Sequence, residues 1–123
     1  MSTYELCVKA VNGYVERMAA GDAAGLVALY ASDASFIDPV GTPAHVGTEA
    51  LTTWFDSVVQ MAPKPEIAGA IRVAGGQAAV PITIRVEFDG NGMVIDVIEL
   101  FTVNDEGLII DQKVWWGEQN VSS

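Results

Sequence analysis

The sequence predicts an α+β domain, with three helices in its first half and a curved, mostly antiparallel sheet in its second. Three observations carry that expectation. Up to Pro63, apolar residues recur mainly at three- and four-residue spacing, the signature of amphipathic helices. From Glu66 onward the pattern changes to strand-like runs with period-two alternation. Glycine-containing turns punctuate those runs at Gly75-Gly76, Asp89-Gly90-Asn91-Gly92 and Asn104-Asp105-Glu106-Gly107.

The chain of 123 residues is half hydrophobic, which suits one domain spanning residues 1–123 with a sizeable core. Its formal net charge is −10, from 16 acidic and 6 basic residues. Such a surface repels phosphates, so nucleic acid and anionic membranes are poor partners, and a neutral, apolar small molecule is the better expectation. Cys7 is the single cysteine, which excludes an internal disulfide and a cysteine metal cluster. There is no signal-like n-region and no bilayer-length apolar run, so a cytoplasmic location is the default.

Ser2-Thr3-Tyr4-Glu5 has the form of a capping box, and Leu6, Cys7, Ala10, Val11, Tyr14 and Met18 form one apolar stripe behind it. Gly21 suits the end of that helix, and Asp22 can cap a second helix from Ala23 to about Ser32, offering Leu26, Leu29 and Tyr30 to the core. A short strand through Phe36 follows, ending at Asp38-Pro39. Thr48 is the expected cap of a third helix carrying Leu51, Trp54, Phe55 and Val58, which stops before Pro63 and Pro65. Strands are then expected over Ile67–Ala74, Gln77–Phe88, Met93–Val103 and Leu108–Trp116. Pro81 cannot donate to a ladder, so a bulge or an exposed edge is expected there. A bent sheet under helices leaves a cone-shaped space suited to a ligand.

Asp38 shares a strand face with Phe36, and Pro39 holds it extended at the strand tip. That makes it a candidate base, although Asp-Pro pairs more commonly mark plain turns. Glu99 is more unusual. Ile95, Val97, Phe101 and Val103 share its face, so an ionised carboxylate there would be costly and a neutral, hydrogen-bond-donating acid is expected. A buried salt bridge is the structural alternative, for which six basic residues offer few partners.

Tyr14 lies mid-stripe and its hydroxyl needs a partner if buried; most such tyrosines are core residues. Gly13 beside it weakens the helix, as if another element approached closely. Parity groups Trp116 with Val114 and Ile110 on an apolar face, and Trp115 with Lys113 and Asp111. His45, the single histidine, sits in a polar loop and reads as solvent-exposed. No ligand set for a zinc site and no glycine-rich nucleotide fingerprint is found, so neither is expected.

Gly21-Asp22, Leu29-Tyr30-Ala31-Ser32-Asp33-Ala34, Asp38-Pro39-Val40-Gly41 and Trp116-Gly117-Glu118-Gln119-Asn120 together resemble bacterial Δ5-3-ketosteroid isomerases. Those enzymes have the cone-shaped NTF2-like fold, shared with SnoaL-type cyclases. The resemblance covers nearly the whole chain; Asp-Pro-Val-Gly with Gly-Glu-x-Asn is its specific part. It implies Asp38 as base, Tyr14 as oxyanion donor and Glu99 as second donor, where the family has aspartate; an aspartate base with tyrosine and neutral-acid donors is the established pattern for that enzyme. It further implies a 3-ketosteroid substrate contacted by Trp116, Phe55, Tyr30, Phe101 and Val40, no cofactor, and a homodimer. Phe55 stands where some members have a supporting tyrosine, so the link from Tyr30 is expected to be cut. The rival readings are a non-catalytic steroid- or polyketide-binding protein, a differently active SnoaL-like protein, and an interaction module with Glu99 salt-bridged across a dimer. An epoxide hydrolase would need further polar groups to hold a water, and the sequence places none.

Overall fold

Helix α1 runs from Thr3 to Ala20 and opens with the expected capping box: Ser2 Oγ accepts from Glu5 N at 3.1 Å, and Glu5 Oε1 accepts from Ser2 N at 3.2 Å. The computed structural model describes residues 1–123 except the side chain of Phe88. Gly21 closes α1 in the left-handed conformation, with its amide on the carbonyls of Arg17 and Met18. A Cβ at Gly13 would lie 3.3 Å from Leu29 and 2.7 Å from Arg17, so the missing side chain is what lets Leu29 approach.

The second helix is shorter than the sequence suggests. Asp22 caps it as expected, through Gly25 N at 2.9 Å, but α2 covers only Ala23–Val27. Tyr30 already belongs to strand β1, Tyr30–Ile37, where it pairs with Ile109. The Leu29 carbonyl accepts from Ile109 N at 2.9 Å, so the sheet takes the backbone groups that further helical turns would need. After β2 (His45–Val46), helix α3 spans Thr48–Val58. Its N-cap is Gly47, which has no side chain to cap with; Thr48 is the first helical residue.

One sheet collects the strands in the order β2-β1-β7-β6-β5-β3, where β3 is Lys64–Ile67, β5 is Gln77–Phe88, β6 is Asn91–Val103 and β7 is Ile109–Trp115. β4 (Arg72–Ala74) also pairs with β5, and β8 (Val121–Ser122) with β6. Among the strand pairs of the described residues, β1 with β7 is the parallel one. The expected strand Ile67–Ala74 is thus two strands with a break between them, and Pro81 explains where. It stays in register with Ile98 on β6 without a bulge. Its carbonyl accepts from Ala68 N at 2.9 Å, so its donorless nitrogen faces the same side, where the β3–β4 edge is interrupted.

The core lies between the helices and one sheet face. Cys7, Val11, Leu26, Phe36, Leu51, Phe55, Val80 and Phe101 are fully buried there. Along β6, Val97, Glu99, Phe101 and Val103 are buried while Asp96 and Ile98 are exposed, as the alternation predicts. On β7 the expected parity fails at one residue. Thr102 pairs with Asp111 but Val103 pairs with Ile109, so Ile110 is an extra residue; it is exposed, and Ile109 takes the core position.

Candidate active site

Asp38 follows the last residue of β1, where Ile37 pairs in parallel with Lys113. Two residues on, Val40 N donates to Val114 O at 2.8 Å, which ties the Asp38-Pro39-Val40 segment to β7. The same strand ends at Trp115, and Trp116 beyond it donates its indole Nε1–H to Asp38 Oδ1 at 2.8 Å. The Gly-Glu-x-Asn segment then forms a tight turn: Asn120 N donates to Gly117 O and Gly117 N to Asn120 Oδ1, both at 2.9 Å. Burial pushes the Asp38 carboxyl above the ordinary aspartate range, against the opposing pull of the Trp116 hydrogen bond and the His45 side chain.

His45 is not the exposed loop residue expected. It lies on β2, half-buried, stacked on Trp54 with ring centroids 4.4 Å apart. That stacking joins β2 to α3 and brings the imidazole within electrostatic reach of Asp38.

Tyr14 stands on the buried face of α1, edge-on to Phe101 at 5.4 Å and to Phe55 at 6.4 Å. Burial, and then the neighbouring Glu99 charge, hold its hydroxyl well above the ordinary tyrosine range, so it remains a donor at neutral pH. Glu99 is completely buried. Desolvation, with a smaller contribution from the Asp38 charge, pushes its pKa up to about 8. Gln112 and Tyr14 oppose that rise by hydrogen bonding. Gln112 does so more than Tyr14, and Glu99 Oε2 has no hydrogen-bond partner. Within the chain no ion pair reaches Glu99 among the described residues; the ion pair present joins half-buried Lys113 and Asp111.

Gln112 is the residue that the sequence reading missed. It is fully buried, donates Nε2–H to Glu99 Oε1 at 2.7 Å, and accepts from the Tyr30 hydroxyl through Oε1. Glu99 pairs with Val114 and Phe101 with Gln112, which makes Gln112 the diagonal cross-strand neighbour of Glu99. The signal was present, because Gln112 shares its parity with Val114 and Trp116. Phe55 has no hydroxyl to relay Tyr30 to Tyr14; Tyr30 bonds Gln112 instead, and through it Glu99.

A cavity of about 130 Å³ is lined by Tyr14, Asp38, Trp54 and Trp116 together with apolar side chains that include Met18, Met61, Ile95 and Val97. Ile95 and Val97 precede Glu99 on its face, so Glu99 sits one strand step past the lining. Phe55, Phe101 and Tyr30 pack behind Tyr14 in the core and do not line the cavity. Val40 lines an adjoining groove with Pro81, Ile98 and Trp115, which shares Val97 and Trp116 with the cavity. Of the residues expected to contact substrate, Trp116 alone borders the cavity that holds Tyr14 and Asp38.

A family model described as a SnoaL-like domain matches residues 11–112. The chain is 28% identical over 107 residues to a steroid Delta-isomerase from Nocardioides simplex, across 87% of this chain and 86% of that one. It is 32% identical over 112 residues to the epoxide hydrolase LasB of Streptomyces lasalocidi, across 85% of this chain but 39% of that longer protein. Among solved structures, the epoxide hydrolase/cyclase-like enzyme SalBIII superposes with a TM-score of 0.91 at 23% identity, covering 97% of this chain and 96% of that one. RV0760c from Mycobacterium tuberculosis superposes with a TM-score of 0.88 at 21% identity, covering 95% of each. These likenesses establish the cone-shaped NTF2-like fold, and the two sequence relatives are both enzymes.

Proposed function

We propose that this chain, which belongs to the SnoaL-like domain family, is a steroid delta-isomerase that moves the double bond of Δ5-3-ketosteroids into conjugation. The observation that carries the reading is Glu99, a completely buried carboxyl held neutral beside Tyr14 and close enough to feel the charge of Asp38. A base and two donors in a water-poor site are what proton transfer next to a carbonyl requires. Asp38 takes the C4 proton, Tyr14 and neutral Glu99 stabilise the dienolate oxygen, and Asp38 returns the proton to C6. The carboxylate that starts the step is regenerated at its end.

The 28% identical isomerase, alignable over most of both chains, supports this choice. The apolar lining suits a steroid, although about 130 Å³ is less than the roughly 300–1,000 Å³ of pockets for drug-sized ligands. Met18 and Met61 in the wall are the flexible side chains that make room. A homodimer belongs to the same proposal, with exposed Val40, Ile98 and Trp115 as apolar surface to bury. Among the described residues no helix is long and apolar enough to cross a membrane.

A second reading, intramolecular epoxide opening, is favoured by the 32% identity to LasB. Asp38 would take the proton of a substrate hydroxyl as its oxygen bonds to an epoxide carbon and that carbon–oxygen bond breaks; Glu99 or Tyr14 would protonate the freed oxygen, and the proton on Asp38 would then return to that donor. Hydrolysis fits less well, because Tyr14 and Asp38 are the main polar groups in the lining and leave little to hold a water. Incubation of the purified protein with 5-androstene-3,17-dione, followed by ultraviolet absorbance, separates the readings. A new conjugated-enone band supports the isomerase; no band, with turnover of a hydroxy-epoxide instead, supports the second reading.

A further inference from the structure

We infer that Gln112, held by Tyr30, is the residue that places the Glu99 proton on Oε2, the carboxyl oxygen that Gln112 does not hold. The inference deepens the isomerase reading and rests on it for its catalytic meaning, but its geometry stands by itself. Gln112 bonds the Tyr30 hydroxyl through its Oε1 and the Glu99 carboxyl through its Nε2, with the Tyr14 hydroxyl also beside it, and all of these side chains are buried.

An amide can face these neighbours in two ways. With Nε2 toward Glu99, the Tyr30 proton has an acceptor and Glu99 Oε1 serves as the accepting carbonyl. The acid proton then belongs on Oε2, the oxygen without a partner. With the amide reversed, Tyr30 would accept from Nε2 and its own proton would be left without an acceptor in the core. A buried donor without a partner loses its bonds to water and gains nothing in return. The reversed amide would also draw the Glu99 proton toward Gln112, where it could not reach a substrate. The first arrangement leaves the Glu99 proton at Oε2, free of Gln112.

Gln112 is therefore a positioning residue, and Tyr30 sets its orientation. Neither borders the cavity, and both act through Glu99. The arrangement also accounts for a tyrosine hydroxyl buried among Phe36 and Phe55, where packing alone would be served by phenylalanine.

Infrared spectroscopy of the ligand-free protein tests this without relying on turnover. At neutral pH the carbonyl band that disappears in Glu99→Gln belongs to Glu99. In Gln112→Leu that band is expected to move to higher frequency, because its carbonyl no longer accepts a hydrogen bond. The pH midpoint at which it vanishes is expected to rise. Tyr30→Phe removes one hydroxyl, keeps the ring, and should split or broaden the band as the amide becomes free to turn; it serves if Gln112→Leu does not fold. In isomerisation, both variants should lose roughly tenfold or more in kcat with KM within about threefold, as expected for a misplaced donor. An unchanged band and midpoint in the folded variants overturns the inference, as does a wild-type protein with no Glu99 carbonyl band. If the band shifts as described but no ketosteroid is turned over, the isomerase reading fails and the role of Gln112 remains.

Discussion

Asp38 and Trp116 are joined by a 2.8 Å hydrogen bond from the indole Nε1–H to Oδ1. It holds one carboxyl oxygen and leaves Oδ2 for a proton in transit. It also stabilises the anion, in opposition to the desolvation that raises the pKa of Asp38. Trp116→Phe removes the donor and keeps an apolar wall, so the Asp38 pKa should rise further. The acidic limb of kcat/KM, which reports the free enzyme, should move to higher pH. An unmoved limb would separate the bond from the base.

Tyr14→Phe leaves the edge-on contacts with Phe55 and Phe101 in place and removes one donor. The expected loss in kcat is about 10²–10³, the usual cost of one oxyanion donor. KM should change far less, because the interaction strengthens mainly in the transition state. Steady-state kinetics on a ketosteroid check this, and an unchanged kcat would return Tyr14 to the core.

Glu99 acts as a donor only while protonated, which puts the alkaline limb of kcat/KM near pH 8. Glu99→Gln keeps a donor that does not titrate, so that limb should vanish. Glu99→Ala removes the donor and should lose clearly more kcat than Glu99→Gln. A limb that persists unchanged in Glu99→Gln would belong to another group.

The same residue makes stability depend on pH, and the sign follows from the raised pKa. Below the ordinary glutamate value of 4.5, Glu99 is protonated in the folded and unfolded states alike. Between 4.5 and about 8 the unfolded chain releases the proton while the folded protein keeps it, so stability falls as pH rises. Above the folded value the contribution is constant. The slope approaches roughly 1.4 kcal/mol per pH unit, a total on the order of a few kcal/mol. Urea denaturation should show wild type losing stability relative to Glu99→Gln between pH 5 and pH 8. Parallel behaviour of the two proteins would mean that Glu99 is not held neutral.

What the sequence made legible was whatever strand or helix periodicity controls. Glu99 among Ile95, Val97 and Phe101 was readable because β6 is regular over that stretch, and Tyr14 because α1 is. The misreadings have tertiary causes. Tyr30 looked helical because Leu26, Leu29 and Tyr30 fit a helical spacing, but pairing with β7 decides its state. Ile110 lost its parity to a bulge, and His45 left the solvent for the face of Trp54. Gln112 was readable by parity, yet a single polar residue on a strand carries no mark of its partners until the strands are paired. Phe55, Phe101 and Tyr30 were expected at the ligand; their positions behind Tyr14 depend on how α1 and α3 settle on the sheet.

The central claim is that one carboxylate carries the proton, and Asp38→Asn tests it most directly. The variant and the wild type are compared for appearance of the conjugated-enone band from 5-androstene-3,17-dione and for affinity toward the product. The account predicts a new band with wild type, nearly none with Asp38→Asn, and product affinity within about tenfold, or ~1.4 kcal/mol, of the wild-type value. Most of the activity surviving in Asp38→Asn, or no band with either protein, would contradict it.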